Sequence, residues 1–327
     1  MRRRKLLQLS GACLAAGVAP HVRANESVEA YPSRPIKLIV PFSPGSLTDG
    51  TARLFAPRMA EALKGTIVVE NIAGASGIIG SETAAKAAPD GYTLVMGGVT
   101  SHGTLVSLMK KLPYDVNRDF TPIGLAVAPP AFFVVHPSVP ARNLKEFVEW
   151  SRTQPQGVSY GSSGVGSSGH LTAELLTMKT GAKLVQVPYK NVGQAITDLI
   201  AGHVKMMIYY APLLPHVRKG DLRALAVLSD QRASFAPEVP TAREQGFENV
   251  TSSGWVGVLA PAGLSTPIRD KLYAALKLAL DDPGLRKTLA TQGQEAIPLP
   301  PAEFKAFMNS EITRWGEVVR VSGATME

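Results

Sequence analysis

The chain has 327 residues, of which 45% are hydrophobic and 18% are charged, and its formal net charge is +8. This composition excludes a low-complexity or collagen-like chain and predicts a globular protein long enough for two modest domains. Beyond the N-terminus, no apolar stretch has the length of a membrane span.

The first 24 residues have the pattern of a signal peptide, with a basic start, an apolar stretch from Leu6 to Ala19 and a small-residue cleavage pattern ending at Ala24. Arg3 and Arg4 also agree with twin-arginine export. Cleavage near Ala24 removes five cations and no acids, so the formal charge falls from +8 to +3. The basic balance belongs mostly to the leader, and charge gives no reason to expect a nucleic-acid partner.

The single cysteine, Cys13, lies inside this predicted leader. The mature protein would then have no thiol, which suits the oxidising periplasm. The alternative is that Cys13 is kept as the site of a lipid anchor.

The stretch VSYGSSGVGSSGHLTAELL, from Val158 to Leu176, predicts a strand, a Gly/Ser loop and a helix that begins near Ser168. Glycines let a ligand approach the backbone closely, and the unpaired amides at a helix start favour an anion. We therefore expect a carboxylate or similar small anion to contact the loop at Ser162, Ser163, Gly164, Ser167 and Ser168.

Two other interpretations of this loop stay open. Gly164, Gly166 and Gly169 spell the dinucleotide-binding pattern GxGxxG. That pattern requires an acidic residue after the next strand, and residues 183–191 contain none. The other interpretation is a purely structural Gly/Ser turn.

A second strand, loop and helix begins with the apolar strand Ile36 to Phe42. Pro44 and Gly45 predict a turn, Ser46 or Thr48 an N-cap, and Asp49 lies in the first helical turn. Asp49 is either an ordinary acid at a helix start, or a functional group that orients the loop amides or meets a ligand cation.

The same pattern occurs twice more. A strand from Thr66 to Glu70 precedes the Gly74–Gly77 loop, which contains Ala75, and a strand from Tyr92 to Gly97 precedes Thr100. Strands that alternate with helices predict a mostly parallel sheet, and the loops at the carboxyl ends of its strands face one crevice.

Two long apolar passages, at residues 120–137 and 254–263, read as crossings between domains. We predict a signal peptide at residues 1–24, lobe 1 at residues 25–124 and 254–327, lobe 2 at residues 125–253, and hinge crossings near residues 125–133 and 252–258.

Several collinear segments resemble the periplasmic solute-binding proteins of tripartite tricarboxylate transporters, the Bug family. They are YPSRPIKLIVPFSPGSLTD, PDGYTLVMG, LPYDVNRDFTPI, YGSSGVGSSGHL, VPYKN, LRALAV, EVPTAREQGF and GWVGVLAPAG. The resemblance implies an α/β fold of two lobes, a type II periplasmic binding protein or Venus flytrap, with a mostly parallel sheet flanked by helices in each lobe.

The resemblance also implies that loops of both lobes hold a small carboxylate, either a dicarboxylate, a tricarboxylate or an aromatic acid. The candidate ligand-binding residues are Phe42, Ser43, Gly45, Ser46, Thr48, Asp49, Ala75, Thr100, Ser162, Ser163, Gly164, Ser167, Ser168, His170, Tyr189 and Tyr209. The implied partners are the membrane components of the transporter, and we expect a monomer without cofactor or metal.

This chain departs from the family pattern at two places. Ser43-Pro44-Gly45-Ser46 stands where the family commonly has Pro-Pro-Gly-Gly. Tyr209 stands about where the family often carries an aspartate, which can pair with a ligand ammonium. The departure favours a non-amino carboxylate, with Tyr209 and Tyr210 covering an aromatic or apolar body or merely packing at the strand end.

Catalysis is not expected from the motifs. The histidines have no metal-binding spacing, and the chain has no GxSxG nucleophile elbow. His170 has three interpretations: a residue that packs or caps at its helix start, a ligand donor, or a base for Ser163 or Ser167. A secreted α/β hydrolase and a periplasmic sensor that feeds a signalling partner remain the alternatives to a transport protein.

Overall fold

The chain alternates between strands and helices along most of its length. The computed structural model describes residues 27–325. Residues 27–31 belong to an N-terminal unit, and the main unit begins at Pro32. The predicted signal peptide, Cys13 and the cleavage site at Ala24 lie outside the described residues.

The strands are β1 (Ile36–Val40), β2 (Ile67–Asn71), β3 (Thr93–Gly98), β4 (Phe120–Val127), β5 (Phe132–Val135), β6 (Val158–Ser162), β7 (Leu184–Pro188), β8 (Met206–Tyr209), β9 (Arg223–Val227) and β10 (Val256–Pro261). The helices are α1 (Leu47–Leu63), α2 (Ile78–Ala85), α3 (Leu105–Leu108), α4 (Leu144–Thr153), α5 (Ser168–Thr180), α6 (Val192–Ile200), α7 (Leu214–Lys219), α8 (Thr266–Asp281), α9 (Pro283–Thr291) and α10 (Pro301–Ser322). A π-helical turn (Thr100–Thr104) and short 3₁₀ turns (Ala75–Gly77, Ala211–Leu213, Arg243–Gln245) complete the described elements.

Two five-stranded sheets organise these elements. The strand order is β2-β1-β3-β10-β4 in the first sheet and β7-β6-β8-β5-β9 in the second. In each sheet one strand, β10 or β5, runs antiparallel to both neighbours, and the other pairs are parallel. Each sheet and the helices packed against it are called a lobe, with lobe 1 around the first sheet and lobe 2 around the second.

The chain passes between the sheets twice. Strand β4 ends at Val127 and β5 begins at Phe132, so the first passage takes four residues. The second lies between β9 and β10. The apolar passage at residues 120–137 therefore contains two strands as well as the crossing. The predicted lobe boundaries stay a prediction, because strand membership alone does not tell where a rigid body ends.

Alternation along β5 shows how lobe 2 is buried on both faces of its sheet. Phe133 and Val135 pack in one hydrophobic core with Phe147 of α4. Phe132 and Val134 point to the opposite face and pack with Leu199 of α6. Successive side chains of a strand point to opposite faces, so a strand that is apolar at every position must be covered on both sides.

Helix α5 belongs to lobe 2 by sequence but also contributes to the core of lobe 1. Leu171 and Leu175 are buried in the same core as Trp255, which directly precedes β10, and Trp315 of α10. The loop in front of α5, the predicted Gly/Ser loop, is therefore held close to lobe 1.

Candidate functional site

A cavity of about 590 Å³ lies between the start of α1 in lobe 1 and the end of β8 in lobe 2. Lobe 1 contributes residues 45–47 and Gly50 at the start of α1, together with residues 290–294 at the C-terminal end of α9. Lobe 2 contributes residues 209–212. A concave site of this size between two lobes is typical of small-molecule binding.

The loop between β1 and α1 forms one wall of this cavity. Gly45 has φ +80°, a backbone conformation that glycine adopts without strain. The Oγ of Ser46 accepts a hydrogen bond from the amide of Asp49 at 3.2 Å, so Ser46 is the N-cap of α1. Of the two predicted caps, the structure selects Ser46, while Thr48 is buried within the helix.

Asp49 organises this loop through its buried carboxylate. Its Oδ2 accepts from the amide of Gly45 at 2.9 Å, and its Oδ1 accepts from Asn71 Nδ2 and Arg53 Nε, each at 2.9 Å. Burial alone would raise the pKa of Asp49, but these hydrogen bonds and the charge of Arg53 lower it overall. Asp49 is therefore ionised at neutral pH, and its geometry fits the second of the two predicted roles, orientation of the loop amides.

The start of α1 has backbone amides that the helix itself does not use. Within the described residues, the N–H groups of Leu47 and Thr48 donate no hydrogen bond, whereas the amide of Gly50 donates to Ser46 O at 2.9 Å. Unpaired amides at the start of a long helix, together with the helix dipole, favour a negatively charged group. Leu47 and Ser46 line the cavity, so this part of the loop faces it.

Tyr209 and Tyr210 form the opposite wall, with ring centroids 4.9 Å apart. Burial raises the pKa of Tyr209 to about 12 and that of Tyr210 further, so both phenols stay neutral O–H donors. The Tyr210 hydroxyl lies 2.6 Å from Ser168 Oγ. The Tyr209 hydroxyl makes no hydrogen bond with any residue that the structure describes, so it is free to donate to a ligand.

The Gly/Ser loop is tied down largely by its own residues. Ser162 Oγ accepts from the amide of Gly164 at 3.3 Å and from Gln186 Nε2 at 2.8 Å. Ser167 is the N-cap of α5, accepting from the amide of His170, and its Oγ donates to Gly164 O at 2.8 Å. The Gly/Ser composition suggested more backbone amides available to a ligand than the structure has, because the hydroxyls of Ser162 and Ser167 accept hydrogen bonds from some of these amides. None of these residues lines the cavity, although Ser163 is exposed.

His170 braces the loop from the first turn of α5. Its Nδ1 accepts from the amide of Gly166 at 3.2 Å, and its Nε2 lies 3.8 Å from Glu174 Oε1. Burial lowers the pKa of His170, so the ring is neutral at neutral pH. This geometry matches the residue that packs at its helix start, the first of the three interpretations of His170.

Phe42, Ala75 and Thr100 follow three strands of the first sheet. A Cβ placed on Gly77 would lie 3.0 Å from Phe42 Cζ and 3.1 Å from Ser101 Cβ, so the three loops meet there. Ala75 is exposed and has φ +45°, a strained conformation for a residue other than glycine.

Two further predicted residues lie outside the cavity lining. Ser43 is exposed, and its carbonyl accepts from the amide of Ser46 at 3.2 Å. Tyr189 turns toward α6, where its Oη donates to Asp198 Oδ2 at 2.8 Å. Of the predicted residues, the cavity therefore brings together Gly45, Ser46 and Tyr209.

Several cavity residues were not predicted. They are Leu47, Gly50, Pro129, Val192, Gly193, Ile196, Ala211, Pro212, Leu214, Pro215, Arg218, Phe235 and residues 290–294. Leu47 directly follows the predicted Ser46, so the motif could have included it. Gln294 could not be found this way, because it reaches the site through packing of the α9 end and a hydrogen bond from Thr51 Oγ1 at 3.0 Å.

Neither metal ligation nor membrane insertion is suggested in the part of the chain that the structure describes. Residues 27–325 contain no group of three or more His, Cys, Asp or Glu side chains arranged to hold a metal ion. Over the same residues, every helix is too short or too polar to cross a bilayer.

Comparison with known proteins gives a consistent result. A family model described as tripartite tricarboxylate transporter family receptor matches residues 51–324. Protein BugT of Bordetella pertussis is 36% identical over 330 residues, which cover 100% of this chain and 100% of that protein.

Two solved structures of similar proteins carry a ligand. MatC from Rhodopseudomonas palustris with bound malate is 33% identical, with a TM-score of 0.80, and the match covers 88% of this chain and 100% of that one. A protein of R. palustris with adipate is 32% identical, with a TM-score of 0.83, and the match covers 90% of this chain and 98% of that one. Together with the two mixed sheets, these matches confirm the predicted fold class. The family and these neighbours are binding proteins.

Proposed function

Because this chain belongs to the tripartite tricarboxylate transporter receptor family, we propose that it is a periplasmic solute-binding protein that captures a small carboxylate between its two lobes. It then delivers the carboxylate to the membrane components of a tripartite tricarboxylate-type transporter. The N-terminal leader pattern supports export, with cleavage near Ala24.

The observation that carries this proposal is the composition of the cavity between the lobes. One wall offers the amide of Leu47 at the α1 start, which donates to no acceptor among the described residues, and the other offers the neutral hydroxyl of Tyr209. Both are hydrogen-bond donors that suit a carboxylate. The malate and adipate in the two similar structures are small carboxylates too, which supports the same ligand class here.

Binding requires donors from both lobes. A hydrogen bond to a charged group is worth about 1.5 to 3 kcal/mol, and a micromolar site needs about 8 kcal/mol. Lost ligand freedom and lobe closure subtract from the gross sum, so the α1 start alone would bind weakly. The ligand joins the two walls, and its binding energy shifts the population from open to closed lobes.

The Gly/Ser loop has a supporting role in this proposal. Ser163 and the start of α5 remain proposed contacts, as do Phe42, Ala75 and Thr100 on lobe 1. The loop also links the lobes, since Thr104 Oγ1 donates to Gly166 O at 2.8 Å. A ligand that orders the loop would thereby favour the closed arrangement.

Titration calorimetry of the purified protein against malate, adipate and citrate tests the proposal. We expect at least one of them to bind with micromolar or tighter affinity and to be recovered chemically unchanged. The matched control is the same acid with every carboxyl group methyl-esterified, which keeps the carbon skeleton and loses the charge, and we expect it not to bind. Equal binding of acid and ester, or turnover of the acid, would contradict a carboxylate-binding role.

Closure is measured separately by small-angle X-ray scattering. The radius of gyration should decrease when the acid that binds is added, and it should not change with its ester. A ligand that bound without any decrease would argue against capture between lobes.

A further inference from the structure

The cavity between the lobes is poor in charge. Among the described residues that line it, the only one with a charged side chain is Arg218 of α7, and none is an aspartate or a glutamate. The nearest acid of the β1–α1 loop, Asp49, already accepts hydrogen bonds from Gly45, Asn71 and Arg53. A cationic group on a ligand would therefore find no free carboxylate in the lining and would face Arg218 instead.

The remaining lining is largely apolar and aromatic. Phe235 lies in the lining with the rings of Tyr209 and Tyr210, and the aliphatic side chains of Leu47 and Ile196 add to this apolar surface. Phe235 is itself supported by Phe132 of β5, with ring centroids 6.1 Å apart. Such a surface gains free energy by covering an apolar body, whereas a short hydroxylated acid leaves it uncovered.

Anion recognition is still possible at two places on this surface. The amide of Leu47 at the start of α1 lines the cavity and donates no hydrogen bond to any described residue. The guanidinium of Arg218 uses one N–H group to donate to Phe235 O at 2.8 Å, and an arginine has five such donors. The rest of its donors can meet a carboxylate, although Arg218 is exposed and water screens its charge.

We infer that the natural occupant of this cavity is a carboxylate with an aromatic or branched apolar body and without an amino group. The inference rests on the proposed function and narrows its ligand class. Tyr209 and Phe235 select the apolar body, and Arg218 disfavours an ammonium group.

Two matched pairs of ligands test this preference by calorimetry. Phenylsuccinate differs from succinate only by its ring, and 3-phenylpropionate differs from L-phenylalanine only by the missing amino group. We expect the ring to raise affinity at least tenfold, because burial of an aromatic ring in an apolar surface increases binding affinity by about tenfold or more. We also expect the amino group to lower affinity at least tenfold, because its charge has no partner in the lining.

Variants assign the preference to residues. Tyr209→Ala should reduce the affinity ratio of phenylsuccinate to succinate toward one. Arg218→Gln should weaken phenylsuccinate by about twofold to fivefold, as expected of an exposed charge. Lys219→Gln removes the neighbouring exposed cation, which does not line the cavity. This variant should leave unchanged the affinity ratio of phenylsuccinate to succinate and that of 3-phenylpropionate to L-phenylalanine. Thermal melting of each variant checks that it is folded.

The outcomes separate this inference from the proposed function. If succinate binds as tightly as phenylsuccinate, or L-phenylalanine as tightly as 3-phenylpropionate, the inferred ligand class is wrong while carboxylate binding stands. Binding of no acid in the panel would overturn the proposed function, and the inferred class with it.

Discussion

Thr104 Oγ1 donates a buried hydrogen bond of 2.8 Å to the carbonyl of Gly166, although the two residues lie 62 positions apart and in different lobes. Thr104 ends the π-helical turn that follows β3, and Gly166 lies in the Gly/Ser loop that follows β6. π-Helical turns occur frequently at functional sites. The bond connects the carboxyl-end loops of the two sheets directly.

Thr104→Val should lower the free energy of unfolding by about 1 to 2 kcal/mol, because a buried carbonyl loses its donor while the side-chain shape is kept. Urea denaturation without ligand measures the difference. Thr313→Val is the matched control, since the Thr313 hydroxyl donates to Asn309 O at 3.0 Å on an exposed helix face. If Thr313→Val lowered the free energy of unfolding as much as Thr104→Val, the hydrogen bond between the lobes would contribute no more to stability than an exposed hydrogen bond within a helix.

Leu47→Pro tests the anion-binding amide at the start of α1. Leu47 is the first helical residue, where proline is tolerated, and Ser46 has φ −66° and ψ 162°, which suits a residue before proline. The substitution removes the N–H group, so we expect carboxylate affinity to fall by about tenfold or more, as for a lost hydrogen bond to a charged group.

Leu47→Ala is the control for this change, because it removes the same side chain and keeps the amide. The difference in affinity between the proline and alanine variants, measured by calorimetry, isolates the N–H group. Equal affinities would mean that the ligand does not use this amide.

Asp49→Asn should destabilise the protein by about 2 to 3 kcal/mol at pH 7, because the carboxylate accepts three hydrogen bonds, one of them from Arg53. The folded-state pKa of Asp49 is lowered, so its stabilisation is present above the unfolded pKa of about 3.9 and is lost as pH falls through the folded pKa. The gap between wild type and variant should therefore shrink below about pH 4.

Denaturation curves at several pH values measure this gap. Asp230→Asn, at an exposed position, serves as the comparison and should change stability by less than about 0.5 kcal/mol. A gap at Asp49 that stayed constant down to pH 3 would rule out a charge-dependent contribution.

His102 predicts a second dependence on pH. Its ring is fully buried against Tyr114 and Phe120, and burial lowers its pKa to about 3. Below about pH 6.5 the unfolded chain binds a proton at His102, whereas the folded protein does not. The contribution of neutral His102 to the free energy of unfolding is therefore complete above pH 6.5 and is lost as pH falls toward 3. One such histidine lowers the free energy of unfolding by about 1.4 kcal/mol for each pH unit of acidification in this range.

His102→Gln should remove this slope between pH 6 and pH 4, whatever its effect on stability at pH 7. His203→Gln, in which an exposed histidine is replaced, is the comparison for the loss of a histidine as such. Urea midpoints over the pH range give the answer, and parallel slopes for wild type and His102→Gln would refute the assignment.

Gly169→Ala should be strongly destabilising, by about 2 kcal/mol or more, because a Cβ there would lie 2.5 Å from the carbonyl oxygen of Ile208 in β8. Gly50→Ala is the opposite case. Gly50 is helical, and a Cβ would meet no atom of residues 27–325 within 4 Å, so alanine should stabilise α1 by about 0.5 to 1 kcal/mol. Thermal melting without ligand compares them, and tolerance of Gly169→Ala would show that helix and strand can separate there at little cost.

The pattern of strands and helices was largely predictable, with boundaries displaced by one or two residues. Strand β2 runs from Ile67 to Asn71 where Thr66 to Glu70 was predicted, and α5 begins at Ser168 as predicted. The signals are local, because apolar runs, N-cap serines and glycine turns act within a few residues. Strands β4 and β5 were merged into one passage, since the four residues between them carry no polar turn signal.

The site was only partly predictable. Gly45, Ser46 and Tyr209 lie at the cavity. The serines of the Gly/Ser loop instead form several hydrogen bonds with other residues of the same loop. Composition shows that a hydrogen-bond donor is present, but it does not show which group accepts the hydrogen bond. Arg218 and Phe235 were missed because neither belongs to a loop at the end of a parallel strand.

The sequence by itself determined the elements, their order and the small-residue loops that follow the parallel strands, because these depend on periodicity and caps within one or two turns of chain. Only the tertiary structure decided which of those loops share a cavity. Thr51 meets Gln294 across 243 positions, and the α1 start faces Tyr209, because packing of whole helices and sheets sets contacts that no local pattern encodes.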